Sequence, residues 1–153
     1  MRKQALTFLE LIIVIAIFLL IITYSVPKIL RGYISNELEI ADQEIIHVLR
    51  TANVNSTQQV RDNSFGVQFD ASGSTYTLFE GSSYASRNQN FDVQYNLPET
   101  VGFDSINLTG SGTEVLFDQV TGETSQSGTI MIIGSNDVTV TITVNSIGNV
   151  YSE

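Results

Sequence analysis

One carboxylate stands inside an otherwise apolar stretch near the start of the chain. Glu10 is followed by the 12 residues Leu11 to Ile22, which contain no polar side chain. An unpaired charge inside a membrane-spanning helix costs at least about 2.5 kcal/mol, so an acid kept there usually has a function. An ammonium at a fixed height on an adjacent helix would satisfy it. The alternative is a position near the helix start, where Glu10 reaches headgroups and the positive end of the helix dipole.

The remaining residues offer little catalytic chemistry. His47 is the sole histidine, the chain has no cysteine, and neither a phosphate-binding glycine loop nor a His-Glu metal motif is present. Asp70, Asp118 and Asp137 each stand beside a turn, but they lack the spacing of a calcium loop and are predicted to solubilise hairpin ends. We predict that the protein is not an enzyme and has no cofactor or metal, and that His47 is a surface or helix-packing residue.

The apolar segment has the length of a single membrane crossing. Leu6 to Val26 comprises 21 residues, which as a helix extend about 31 Å, close to the thickness of a bilayer's hydrocarbon core. Arg2 and Lys3 precede it and acids dominate after it, which puts the N-terminus in the cytoplasm and the rest of the chain outside. The residues from Thr23 to Pro27 contain no A-x-A-like site, so ordinary signal cleavage is disfavoured.

The run Ala5-Leu6-Thr7-Phe8-Leu9-Glu10-Leu11, the apolar residues after it and Pro27 together resemble the prepilin cleavage and methylation motif of type IV pilins and pseudopilins. The resemblance implies cleavage between Ala5 and Leu6 by a prepilin peptidase and methylation of the new amine. It also implies pairing of Glu10, then the fifth residue, with a neighbouring subunit's amine, and a helix kink at Pro27, 17 residues after Glu10. The family usually has glycine where this chain has Ala5 and phenylalanine where it has Leu6, so cleavage is expected to be slower.

The chain beyond Pro27 reads as a long helix followed only by strands. Apolar residues from Leu30 to Ala52 recur at spacings of three and four, which predicts a helix that ends near Asn55-Ser56 and packs on a sheet. Its other face is predicted to carry the charged residues Arg31, Glu37, Glu39, Asp42, Glu44 and Arg50. Seven strands are expected at 65–69, 75–79, 91–95, 105–108, 115–117, 129–133 and 138–144.

These elements predict an α+β, pilin-like fold in which the helix lies across one twisted antiparallel sheet. We divide the chain into a leader (1–5), a transmembrane and filament-core helix (6–26), its amphipathic continuation (27–56) and a β head (57–153). The hairpins from Val115 to Val150 also resemble those of minor pilins and pseudopilins of the GspH/FimT type. That second resemblance favours a minor component.

The distribution of charge along the chain limits which partners are expected. The net charge is −9, and the segment from Asp62 to Glu153 holds eleven acids against Arg87 alone, a net charge of −10. Phosphate contacts need clustered lysine or arginine, so nucleic acid is not an expected partner. The resemblance implies other pilin subunits, the prepilin peptidase and a pilus assembly platform as partners of a single-pass inner-membrane protein.

The leading hypothesis is a structural subunit of a type IV pilus, or of a secretion or competence pseudopilus, that moves from the inner membrane into a periplasmic or extracellular filament. A DNA- or surface-binding minor pilin and a non-polymerising, signal-anchored β domain are the alternatives.

Overall fold

The computed structural model describes the backbone from Phe8 to Glu153, and the side chains of the same range except those of residues 24–31. The chain divides into two compact units, with the boundary between Tyr33 and Ile34. The first unit contributes an apolar helical segment. The second, Ile34–Glu153, contains the rest of that helix and all strands, and we call it the head.

The helix, α1, runs from Phe8 to Thr57, 50 residues. Leucine, isoleucine and alanine occupy 21 of its 50 positions, and no glycine or proline lies between Tyr33 and its end. It stops where Asn55, Ser56 and Thr57 succeed the apolar residues, and Gln59 then turns the chain with a φ of 52°. This agrees with the end predicted from the sequence. Within the described part of the chain, no helix combines the length and hydropathy of a membrane-spanning segment.

Eight antiparallel strands follow the helix, and they form two four-stranded sheets in the orders β3-β2-β1-β5 and β4-β6-β7-β8. The α+β prediction is confirmed, but the head has two sheets where one was expected. Val150–Ser152 is a strand that the sequence analysis missed. The strands are β1 (Phe65–Asp70), β2 (Thr75–Glu80), β3 (Val93–Asn96), β4 (Val101–Leu108), β5 (Glu114–Phe117), β6 (Gly128–Gly134), β7 (Thr139–Val144) and β8 (Val150–Ser152).

The switch between sheets occurs after β3. Leu97 is buried and Pro98, which has no amide hydrogen to donate to a sheet, redirects the chain into β4. The chain returns to the first sheet only for β5, which pairs with β1. Gly66 on β1 makes this packing possible, because a Cβ there would lie 2.6 Å from the Phe79 ring and 2.7 Å from the carbonyl oxygen of Val115.

One hydrophobic core joins the helix to both sheets. Phe69 of the first sheet meets Phe103 of the second edge to face, with ring centroids 5.7 Å apart. The helical stripe predicted from the sequence is buried from Leu38 onward and packs into this core. Its fully buried members are Leu38, Ala41, Ile45, Val48, Leu49 and Ala52.

Polar side chains of α1 also bond to the head, which corrects the prediction that its charged residues all face solvent. Asp42 is only 5% exposed. Glu37 is half-buried and accepts a hydrogen bond from the Thr100 hydroxyl. Arg50 donates from Nη2 to the Val150 carbonyl at 2.8 Å. These side chains lie beside the apolar stripe and satisfy groups at the rim of the sheets.

Ser56 closes the helix onto β1. Its hydroxyl is fully buried, accepts a hydrogen bond from the Phe65 amide at 2.8 Å and lies 3.4 Å from the Phe65 carbonyl oxygen. We expect Ser56→Ala to lower the free energy of unfolding by about 1–3 kcal/mol, because it leaves a buried amide without an acceptor. The measurement is urea unfolding of the full chain in detergent micelles, followed by circular dichroism.

The matched control for Ser56 is Ser35→Ala. The Ser35 hydroxyl accepts from Asn136 at 3.3 Å on the exposed surface, so its loss should change the unfolding free energy by less than about 0.5 kcal/mol. Equal effects of the two substitutions would contradict the structural role given to Ser56.

Asp42 is a buried carboxylate with unequal oxygens. Oδ2 accepts a hydrogen bond from the Ser152 hydroxyl at 2.9 Å, whereas Oδ1 has no hydrogen-bond partner among the described residues. Burial raises the pKa of Asp42; the Ser152 hydrogen bond opposes this, and the charge of Glu39 adds to it. The folded chain therefore takes up a proton on Asp42 at a higher pH than the unfolded chain does.

The ionisation of Asp42 makes the stability of the head depend on pH. Above the folded pKa, ionised Asp42 weakens the fold, and this loss disappears as the pH falls and the group protonates. We expect Asp42→Asn to be more stable than the natural chain near neutral pH by a margin that shrinks toward about pH 4. The test is to measure the unfolding free energies of both chains between about pH 4 and neutral pH. Asp104→Asn, at an exposed position, is the control. A margin that is constant, or that grows in acid, would contradict the assignment.

Candidate assembly surface

The described part of the first unit is an apolar helical segment whose side chains are exposed. From Phe8 to Ile22 every large apolar side chain is at least 40% exposed, with Phe8 at 79% and Leu20 at 71%. Monomeric soluble proteins rarely show a contiguous apolar surface of this extent, and such surfaces mark contacts with protein or membrane. The exposed side chains lie on all faces of the helix, so the segment can be covered from every side.

Glu10 is the only charged residue between Phe8 and Thr23. In the helix its nearest neighbours along the surface are Ile13 and Val14, three and four residues further on. Both neighbours are apolar, so Glu10 lies on an otherwise apolar part of the helix surface. The predicted pairing of Glu10 with a neighbouring subunit's amine stays a prediction.

The other predicted site residues fall at or beyond the limits of the described region. Ala5 and Leu6 lie outside the described residues, so the cleavage site stays a prediction. Pro27 lies within α1, which is assigned as helix on both sides of it, and its side chain is outside the described set. The predicted bend at Pro27 likewise stays a prediction. Glu10 and Pro27 share one helix but are not brought together by the fold.

The head does not bring together the histidine and the three turn aspartates that the sequence analysis considered. His47 is exposed on α1, as predicted for a surface histidine. Asp70, Asp118 and Asp137 are exposed at separate turns, and the Asp70 carboxylate accepts a hydrogen bond from the Ser72 amide at 3.0 Å. Across residues 8–153, no group of three histidine, cysteine or acidic residues is arranged to hold a metal ion.

Two of the arginines in the head are held by carboxylates. Arg61 pairs with buried Glu80 at 3.0 Å and lies 4.0 Å from the centre of the Phe91 ring. Arg87 pairs with Asp92 at 2.6 Å and stacks on Tyr84, 3.7 Å from the ring centre. Both pairs fix the segment between β2 and β3. They neutralise cations in a head that carries three arginines and fifteen acids, a net charge of −12.

A second surface of α1 was missed by the sequence analysis. Its residues are exposed and recur at spacings of three and four, as a helix face must: Asn36, Ile40, Gln43, His47, Arg50 and Val54. We call this set the outer stripe. The signal was present in the sequence as two apolar residues, Ile40 and Val54, lying off the buried stripe. Beside Val54 and Arg50, the β7–β8 turn and β8 complete a groove of about 530 Å³.

Comparison with known proteins gives a result at the level of the fold. No protein-family model matches the chain. No curated protein sequence matches it either. Solved structures do match it, and two of them are of the minor pseudopilin EpsH from the type II secretion system of Vibrio cholerae. The first has 17% identity and a TM-score of 0.57, with 76% of this chain and 96% of that chain covered.

The second EpsH structure agrees with the first, at 14% identity and a TM-score of 0.56, with 76% of this chain and 93% of that chain covered. Identities this low establish shared architecture only. The likeness nevertheless agrees with the prepilin-like residues that precede the head in sequence. The chain thus shares the fold of the minor pseudopilin EpsH, an α+β fold in which a long helix packs on antiparallel sheets.

Proposed function

We propose that this chain is a structural subunit, of the minor kind, in a type II secretion pseudopilus or a related type IV filament. One observation carries the proposal: a chain with the head fold of a minor pseudopilin also has an apolar helical segment with its side chains exposed from Phe8 to Ile22. A surface of this kind needs a cover. Lipid supplies it before assembly and the helices of neighbouring subunits supply it afterwards.

In the membrane, the segment Leu6 to Val26 would be the anchor, with the N-terminus in the cytoplasm and the head outside. This segment extends at both ends beyond the residues whose side chains are described. Isoleucine, valine, leucine and phenylalanine on every face suit lipid first and a bundle of like helices later. The head would therefore reach a periplasmic or extracellular filament without any change in the segment's own structure.

Processing would precede assembly. A prepilin peptidase would cut between Ala5 and Leu6, and the new amine of Leu6 would be methylated. An assembly platform in the inner membrane would then pass the subunit into the filament. Alanine is the smallest substitute for the usual glycine in a peptidase subsite, so Ala5 is compatible with cleavage at a reduced rate.

Glu10 would set the register between subunits. Its carboxylate would pair with the Leu6 amine of a neighbouring subunit, since a buried charge is stabilised only when a partner of opposite sign lies close. Because the flanking side chains are apolar and tolerate sliding, the ion pair is the interaction that distinguishes one axial position from another.

The charges of the head argue against a DNA-binding role. A phosphate backbone is bound by several unpaired lysines or arginines, whereas Arg61 and Arg87 are both occupied by carboxylates. The net charge of −12 would repel a polyanion further.

The non-polymerising alternative makes a different prediction, because Glu10 would then be dispensable.

The proposal is tested by measuring the intact mass and N-terminal sequence of the protein from membranes of a host with and without its prepilin peptidase. We expect loss of the segment from Met1 to Ala5, and methylation of Leu6, only where the peptidase is present. An intact leader in both hosts would overturn the proposal and leave a signal-anchored domain.

Glu10→Gln tests the assembly step. The substitution keeps the size of the side chain but removes the charge, and losing one partner of a buried ion pair costs about 3–5 kcal/mol. We expect incorporation into sheared filaments to fall at least tenfold while the amount in the membrane stays the same. Immunoblots of filament and membrane fractions measure both.

Glu39→Gln is the matched control for Glu10, because Glu39 is an exposed acid on the same helix but in the head. Filament incorporation of this variant should equal that of the natural chain. Normal incorporation of Glu10→Gln would refute the register role, whereas absence of the natural chain itself from the filament fraction would favour the non-polymerising alternative.

A further inference from the structure

The outer stripe of α1 differs in charge from the rest of the head. Four acids lie on this helix between Glu37 and Glu44, but none belongs to the stripe. Two of its residues are apolar and well exposed, Ile40 at 55% and Val54 at 46%. A surface with exposed apolar residues and no acid stands out in a head with a net charge of −12.

The groove at the end of the stripe is bounded by fixed groups. Arg50 donates to the Val150 carbonyl at 2.8 Å, and the Asn53 amide donates to the Gly122 carbonyl at 2.7 Å and to the Gly148 carbonyl at 3.4 Å. Gly148 has a φ of 81°, and a Cβ at this position would lie 2.0 Å from the Gly122 carbonyl oxygen. The turn that forms one wall of the groove is therefore held against the helix, so binding there requires little ordering of the wall.

Arg50 is the charged group of this groove. The other two arginines of the head have carboxylate partners at 3.0 and 2.6 Å, whereas Arg50 bonds to a neutral carbonyl and has no acid within ion-pair distance in the described chain. A guanidinium has five N–H donors, and the bond to Val150 uses one. The remaining donors can pair with a carboxylate through two hydrogen bonds.

We propose that this groove binds a segment of a neighbouring, different subunit of the filament in which one carboxylate, flanked by apolar side chains, pairs with Arg50. The inference rests on the proposed function and names a contact through which the head selects its neighbour. Arginine and tyrosine are among the types most enriched at the energetic centre of interfaces, and Arg50 and Tyr151 both line this groove, with Tyr151 43% exposed.

The chemistry of the site selects this occupant. One arginine in a strongly acidic head cannot hold a polyphosphate, but it can hold a single carboxylate whose apolar neighbours contact Val54 and Tyr151. A second copy of this chain is the less favourable occupant, because two heads that each carry −12 repel one another.

The test places a photocrosslinking amino acid at Asn149, which lines the groove and is exposed, in the full chain in its own host. A second variant carries the crosslinker at Phe18 in the apolar segment and reports assembly itself. In each, the groove is changed by Arg50→Glu, which reverses the charge, or by Val54→Glu, which puts a competing carboxylate one helical turn from Arg50. Val54→Gln is the neutral control of matched size.

We expect a crosslink from position 149 to another filament subunit that falls at least fivefold with Arg50→Glu and with Val54→Glu and is unchanged with Val54→Gln. The crosslink from position 18 should persist in all of these variants. The inference would be overturned if the crosslink from position 149 were equally strong with Arg50→Glu and with Val54→Glu. It would also be overturned if position 149 gave no crosslink while position 18 still did.

Two further outcomes are decisive. A product made of two copies of this chain at position 149 would overturn the choice of occupant. Loss of crosslinking at both positions in the natural background would show that the chain does not assemble, which defeats the proposed function and the inference with it. Failure of the inference alone is thereby distinguished from failure of assembly.

Discussion

The burial of one face of α1 is the interaction on which the head depends. The stripe from Leu38 to Ala52 supplies the surface against which two separate sheets pack, and the core that results contains residues of all three layers. The helix is therefore both the link to the apolar segment and the element that makes the head a single folded unit.

The apolar residues of α1 are covered in one part of the helix and exposed in another. In the head, its apolar residues are covered and its flanking polar residues bond to strand ends and turns, as Asp42 does to Ser152 and Ser56 to Phe65. Between Phe8 and Ile22, its large apolar side chains are exposed in the described part of the chain. The apolar residues of one helix therefore form a core in the head and an exposed surface in the first unit.

The elements were largely predictable and their arrangement was not. The spacing of apolar residues predicts which side of α1 faces a core, and the alternation of apolar and polar residues predicts the strands. Both could therefore be found from the sequence. Pairing depends on contacts that periodicity does not encode, which is why β4 and β5, neighbours in the chain, proved to lie in different sheets. β8 has too few residues to show alternation. In the sequence, Asp42 has the pattern of a solvent-facing acid. Its burial depends on a hydrogen bond from Ser152, 110 residues away, which the sequence pattern does not indicate.

Those distant contacts have a consequence for the order in which the head folds during synthesis. Asp42 and Arg50 both bond to β8, which leaves the ribosome about a hundred residues after them. While the chain is being synthesised, the helix can neither satisfy these two side chains nor complete its cover, because contacts of such long separation form late. A head interrupted before β8 would leave Asp42 and Arg50 of α1 without these hydrogen bonds. Stabilisation of the helix by the last strand thus makes completion of the head depend on completion of the chain.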